Sequence, residues 1–398
     1  MAKVVLCSEL GSGSRALARL ADCADELKTQ GHSVRLVCSD IAAAHRNESF
    51  AKISIFQAPK PVLPKRDKSW RLQNFTSILL ANGFDSPATL TPVLRSWLHT
   101  LATLDVDLVV TDGAPVATLA AKLLMVPCAM VGNGYSVPPK TNPLPSLAPW
   151  KTTEGLQAQL EEGDQRLVAT VNSSIQALNF EKVVLKEAYE IYSHADQWVM
   201  SFAEIDHYGR READYVVRWT RSSTAVDPVW PHSPGTKIFA QLDAKSPHLT
   251  AVLEQLARRG DPTLVVIPNA EDSWIKQNQV RNIKIQNELV NIRRVIEQCR
   301  VVINNCNHDL IYELLITGTP SILLPNNPEN MLLAYRVAKR KLGFPGPAKP
   351  DGLDLNKLIE KATTSDQIWA NASRMSLKYE NHHTLSRLHQ LIAAKLEK

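Results

Sequence analysis

Short, nearly uninterrupted apolar runs alternate with stretches of helical periodicity along most of this chain. That alternation narrows the fold more than any other feature. Lys3–Cys7 and Val34–Cys38 read as strands buried on both faces, because a strand with one solvated face would alternate polar and apolar residues. Between them, Leu17, Leu20, Ala21, Ala24 and Leu27 share one face of a helix predicted over Ser14–Gln30 and stopped by Gly31-His32. Ile53–Gln57, Leu108–Thr111 and Cys128–Val131 are further predicted strands. Trp70–Ala81, Thr89–Leu104 and Pro115–Leu124 are predicted helices. Strand–helix–strand order of this kind predicts an α/β fold, a parallel sheet covered on both faces.

The pattern is then interrupted and starts again. Val137–Trp150 carries five prolines, which forbid regular structure and predict a long, semi-rigid loop. Helices are predicted over Glu154–Leu178 and Glu181–Ser193, and a strand over Gln197–Phe202. Ser222–Gly235, with Pro228, Pro231 and Pro234, reads as an inter-domain linker. Beyond it, strands are predicted at Lys237–Gln241, Leu264–Ile267, Val301–Ile303 and Ser321–Leu324. Helices are predicted at Leu249–Arg258, Leu289–Gln298, Asp309–Ile316 and Glu329–Lys341, with closing helices near Asp354–Thr363 and Ser386–Lys395. At 398 residues the chain exceeds one ordinary domain. The division expected is residues 1–225 and 226–398, the second including the closing helices.

Composition excludes several classes. No run of eighteen apolar residues exists, so no membrane-spanning helix is expected. The opening MAKVVLCSELGSGS has too short an apolar run for a signal peptide and reads as a first strand. Six scattered cysteines form no CxxC pair and have no histidine at metal spacing. Neither a disulfide framework nor a metal site is expected, and a reducing, cytoplasmic location suits them. A net charge of +5 fits anionic ligands or weak contact with an acidic membrane surface, and does not argue for nucleic acid. Lys60–Arg71, basic with one tryptophan, is the segment for such membrane contact, or simply a solvated loop.

The stretch Asn304–Ala334, NNCNHDLIYELLITGTPSILLPNNPENMLLA, reads as a strand end, a helix, a Gly318-Thr319-Pro320 turn, a short strand and a new helix. It resembles the nucleotide-sugar-binding segment of GT-B glycosyltransferases of the bacterial UDP-glycosyltransferase type. The glycine-rich turn Glu9–Ser14, Gly31-His32, Thr111-Asp112 and the proline-rich loop occur in the order that resemblance requires. It implies two Rossmann-like domains facing across a cleft, an acceptor-side first half and a donor-side second half. It also implies an inverting, metal-independent transfer of sugar from a nucleoside diphosphate to an acceptor, with no separate cofactor.

The same resemblance assigns site positions and exposes substitutions. Asn305, Cys306 and Asn307 stand where the family has a His-Gly-Gly-type phosphate-binding turn before a helix N-terminus. Glu313 falls at the position of a carboxylate that accepts ribose hydroxyls, or is a solvated helix glutamate. Glu329 and Asn330 fall where an acidic residue and a glutamine meet the donor sugar, or are an ordinary helix start after Pro328. Trp274 is a candidate to stack a base, or a packing anchor. In the first half, Arg15-Ala16 replaces the Gly-His that supplies the general base, and alanine takes no proton. Asp112 matches the aspartate that partners that histidine, or caps the Pro115 helix. Gly13, Ser14 and Arg15 could instead hold an acceptor or anionic group. His45, His99, His308 and His382-His383 sit in no activating motif. Two classes follow: a glycosyltransferase with altered machinery, or a degenerate member that acts by binding, as a partner subunit.

Overall fold

A computed structural model describes residues 1–10, 14–63, 71–151, 153–217, 225–380 and 384–397, with backbone only at 14, 15 and 384–386. Most of the basic Lys60–Arg71 segment and the first part of the expected linker lie outside the described residues, as do Gly13 and the His382-His383 pair. The chain divides into two compact units, Met1–Arg218 with His383–Lys398, and Trp219–His382.

The first unit holds strands β1 (Lys3–Ser8), β2 (Ser33–Cys38), β3 (Ser54–Gln57), β4 (Leu108–Thr111), β5 (Cys128–Gly132), β6 (Ala195–Val199) and β7 (Asp214–Tyr215). They form one parallel sheet in the order β3-β2-β1-β4-β5-β6-β7. Its two faces bury separate clusters. One gathers Val5, Val109 and Met130 with the helices Pro87–Leu104, Pro115–Leu123 and Leu156–Gln176. The other gathers Leu6, Leu36 and Val110 with the helix Ser14–Thr29. Ala117, Ala120 and Ala121 are fully buried, and their small size lets the helix Pro115–Leu123 lie close between sheet and outer helix. The first helix ends as its sequence predicts: Gly31 takes φ +77°, and the amides of Gly31 and His32 close on the carbonyls of Lys28 and Leu27.

The second unit holds β8 (Ile238–Gln241), β9 (Thr263–Val266), β10 (Ile283–Gln286), β11 (Val301–Asn304), β12 (Ile322–Leu323) and β13 (Phe344–Pro345). The sheet is again parallel, in the order β10-β9-β8-β11-β12-β13. Both sheets therefore run outward from a first strand, return to it, and continue on its other side. The reversal lies between β1 and β4 in one and between β8 and β11 in the other. Two doubly wound, Rossmann-like units are the observed fold class.

Three expectations are corrected. Residues 181–193 were expected as a helix; only Ala188–Tyr192 turns, as a 3₁₀ segment. Asn172 explains the difference: its side chain accepts from the Leu185 amide and donates to the Leu185 carbonyl, both at 2.8 Å, so the segment is tied flat along the helix Leu156–Gln176. The helix expected at Leu289–Gln298 is only Ile292–Ile296, because β10 ends at Gln286 and Val290 makes a bridge with Val226. The last helix, Thr384–Leu396, belongs to the first unit, not the second. Its Leu388 and Ile392 bury beside Leu17 and Leu20, and Lys395 pairs with Asp196 at 3.0 Å.

The proline-rich loop is irregular, as expected, and firmly anchored. Buried Asp164 accepts from the Leu144 amide at 2.8 Å, from Asn74 at 3.3 Å and from the Thr76 hydroxyl. Leu144 and Leu147 are buried beneath it. All six cysteines are free thiols, and no cluster of metal-ligating side chains occurs among the described residues. No helix there is long and apolar enough to cross a membrane.

Candidate functional site

In parallel sheets wound this way, ligands bind beyond the carboxyl ends of the strands, where the winding reverses. In the first unit that place brings Glu9 and Leu10, after β1, against Asp112 and Gly113, after β4. The Leu10 amide donates to the Gly113 carbonyl at 2.7 Å. Gly113 takes φ +59°, and a Cβ there would stand 3.1 Å from the Leu10 carbonyl oxygen, so only glycine closes this seam without strain.

Asp112 lies at the centre of that seam with its side chain 1% exposed. Arg19 Nε donates to Oδ2 at 2.6 Å, and Arg19 Nη2 to Oδ1 at 3.3 Å. The Ser136 hydroxyl donates to Oδ1 at 3.3 Å. Arg19 belongs to the helix Ser14–Thr29 and is itself buried. It sits three residues after Ala16, so the two share one face of the helix. The carboxylate expected beside a histidine is thus held by a guanidinium in a two-point, buried pair. Asp112 does not cap the following helix either: the N-cap residue is Ala114, with no side-chain cap bond.

Glu9 takes that capping task from 107 and 108 residues away. Its Oε2 accepts from the Val116 amide at 3.2 Å and its Oε1 from the Ala117 amide at 2.6 Å. A carboxylate at a helix N-terminus is favoured by the free amides and the helix dipole. Loss of solvation opposes this and dominates, so the Glu9 pKa is pushed up to about 8. Glu9 also lines a cavity of ≈ 470 Å³ at the carboxyl edge of the sheet. Leu10, Pro59, Leu90, Val93 and Val116 give it apolar walls; Ser39, Asp40, Lys60 and Asn82 add polar groups.

In the second unit the corresponding reversal brings the ends of β8, β11 and β12 together through one buried side chain. Asn305 Oδ1 accepts from the Asp243 amide at 2.6 Å. Its Nδ2 donates to the Leu324 carbonyl at 2.6 Å and to the Ser246 hydroxyl at 3.0 Å. Asn304 bridges in the same manner, from Nδ2 to Ser321 at 2.9 Å and from the Cys306 amide to Oδ1 at 2.8 Å. Cys306 takes φ +62°, the left-handed conformation that suits the glycine expected from the resemblance. Its thiol is fully buried, and burial raises its pKa. Asn307 is the N-cap of the helix His308–Ile316, its Oδ1 accepting from the Asp309 amide at 3.0 Å. Asp309 then places a carboxylate in the first turn, 3.8 Å from the His308 ring.

Glu313 is half-buried farther along that helix. The helix Pro328–Lys339 starts at the N-cap Asn327, with Pro328 in its first position. Glu329 is half-buried in its first turn, and Asn330 is buried. The Asn330 amide donates to Asn327 Oδ1 and its side-chain Nδ2 to Asn326 Oδ1, both at 2.9 Å. Trp274 lies in the helix Asp272–Asn278 and packs on the core of the unit.

No protein-family model matches this sequence, and no curated protein is detectably similar to it. Solved structures are similar over the whole chain. The calicheamicin glycosyltransferase CalG4 matches with a TM-score of 0.70 at 15% identity, covering 100% of this chain and 98% of that one. The glycosyltransferase VinC in complex with dTDP gives 0.69 at 11% identity, covering 99% of each chain. The spinosyn rhamnosyltransferase SpnG complexed with thymidine diphosphate gives 0.63 at 13% identity, covering 97% and 99%. The fold is GT-B. At such identities the likeness concerns the GT-B scaffold and not its chemistry.

Two residues central to the GT-B scaffold here were not singled out from the sequence. Arg19 had a signal available: a basic residue beside the apolar face of the first helix, one turn after Ala16. Glu9 had none, because the helix it caps begins more than a hundred residues later. Gly13 lies outside the described residues, as do the side chains of Ser14 and Arg15, which begin the first helix.

Proposed function

We propose that this chain is a GT-B protein that acts by binding a small molecule in the cavity beside Glu9, as a binding or partner subunit, and does not transfer sugar by a histidine–aspartate route. The pairing of Asp112 with Arg19 carries this reading. Both carboxylate oxygens are engaged by a guanidinium that does not deprotonate. One turn earlier Ala16 offers no atom that takes a proton, and removing a general base lowers rates about 10²–10⁴-fold. The second reversal supports the same view. Asn305 commits both ends of its amide inside the protein. Asp309 adds negative charge at the helix start where a diphosphate would need free amides.

A transferase reading has one observation in its favour. Glu313 and Glu329 keep half-buried places on the two helices where a carboxylate is expected to meet ribose and sugar hydroxyls. Calorimetric titration with UDP, dTDP, GDP and one UDP-sugar, with release of nucleoside diphosphate followed alongside, separates the two. The binding reading expects no micromolar nucleotide affinity and no turnover. Micromolar affinity together with turnover overturns it in favour of transfer.

A further inference from the structure

The cavity beside Glu9 has a lining that specifies ligand chemistry as well as size. Two carboxylates reach it, and both are already oriented by helix amides. Glu9 accepts from Val116 and Ala117; Asp40 accepts from the Ala43 amide at 2.9 Å. Each carboxylate has capacity for further donors beyond these amides. Among the described residues of the lining, Lys60 is the one cation, and it is exposed. Ser39 and Asn82 add neutral polar groups and Leu10, Pro59, Leu90, Val93 and Val116 apolar walls, so a carboxylate there gains more from a bound cation than it would in water.

We propose that this cavity takes a small apolar molecule carrying a protonated amine, with the ammonium against Glu9 and Asp40. This rests on the reading of the cavity as the working site and names its ligand class. Binding has a simple proton balance. Below pH 8 Glu9 holds a proton in the free protein, because burial has raised its pKa to about 8. An entering ammonium ion favours the carboxylate, so Glu9 gives its proton to solvent and an N–H···O ion pair replaces the O–H bond. Two buried groups feel the Glu9 charge. Cys7 on β1 and Tyr192 are buried, and burial first, then Glu9 itself, raises the pKa of both well above the ordinary value.

The test is calorimetry on the full chain with naphthylmethylamine and its neutral counterpart naphthylmethanol, between pH 6 and 8 in two buffers of different protonation enthalpy. At pH 8 the amine binds about tenfold tighter than the alcohol or better, as expected for a charge-assisted contact. Its affinity falls up to about tenfold per pH unit below 8, with close to one proton released per amine at pH 7. The alcohol shows neither slope nor proton release. Glu9→Gln removes the slope and lowers the preference to what Asp40 alone supplies, while the alcohol still binds. If that variant fails to fold for want of its cap, the wild-type slope and proton count decide alone, and Leu90→Trp, which fills the cavity, abolishes binding of both probes. Equal affinities or a flat amine profile overturn the cation assignment while leaving the binding reading intact. Failure of both probes to bind overturns both. Turnover of a nucleotide sugar overturns the binding reading's exclusion of transfer and leaves the amine result to stand or fall on its own.

Discussion

The two sheets share one winding order, and their reversal points are built from opposite materials. Beyond β1 and β4 the seam is closed by charge, with Arg19 and Asp112 paired under almost complete burial and Glu9 on a helix start beside an open cavity. Beyond β8 and β11 the seam is closed by amides, with Asn304 and Asn305 tying loop to loop. A buried ion pair is costly to desolvate and expensive to break. An amide tie is cheaper to bury and leaves no charge for a ligand. The same topology therefore leaves one unit with ionisable groups at a cavity and the other with its polar side chains committed to holding itself together.

The comparison breaks most visibly at the ion pair. Asp112→Ala or Arg19→Ala should destabilise the first unit by about 3–5 kcal/mol in urea denaturation, because each leaves its partner charged and buried. The double variant Arg19→Met with Asp112→Leu should recover most of that loss. A single Asp112→Ala with no measurable effect would mean that the pair is solvated and the contrast between the units is false. In the second unit Asn305→Ala should cost about 2–3 kcal/mol, since the Asp243 amide and the Leu324 carbonyl lose their partner. A loss as large as that of the ion pair would erase the distinction drawn between charge and amide closure.

Two smaller effects sharpen it. Asn307→Ala removes only an N-cap and should cost about 1 kcal/mol, whereas Asn307→Gly should cost a few tenths. Glu9 should give the first unit a pH dependence that the amide-built seam lacks. Its folded pKa of about 8 lies above the ordinary 4.5, so the folded state binds more protons between these values. The stabilisation is complete below the unfolded pKa and declines as pH rises towards 8. Thermal unfolding followed from pH 5 to 8 should show that decline, and Glu9→Gln should flatten it. An increase in stability with pH from this group would reverse the assignment.

Legibility followed burial. Lys3–Cys7, Val34–Cys38 and Leu108–Thr111 were readable because central parallel strands are apolar on both faces. β10, with the half-polar sequence IKIQ, and the two-residue β7 and β13 carry too little apolar pattern to read. Residues 181–193 had helical spacing and lost it to two hydrogen bonds from Asn172. Asn305, Cys306 and Asn307 were located correctly as the turn before a helix. What their side chains bond to depended on carbonyls and amides contributed by β8 and β12, which no local pattern reports.

The sequence by itself determined the α/β class, the parallel strands and the restart after the proline-rich region. These rest on local periodicity and residue identity, which neighbours along the chain suffice to express. Only the tertiary structure decided that Arg19 would take Asp112, that Glu9 would cap a helix beginning at Pro115, and that the last helix would cover the first sheet. Each of these depends on which polar group meets which across distant segments. Burial forces every such group to find a partner, but the choice of partner is made by packing in three dimensions.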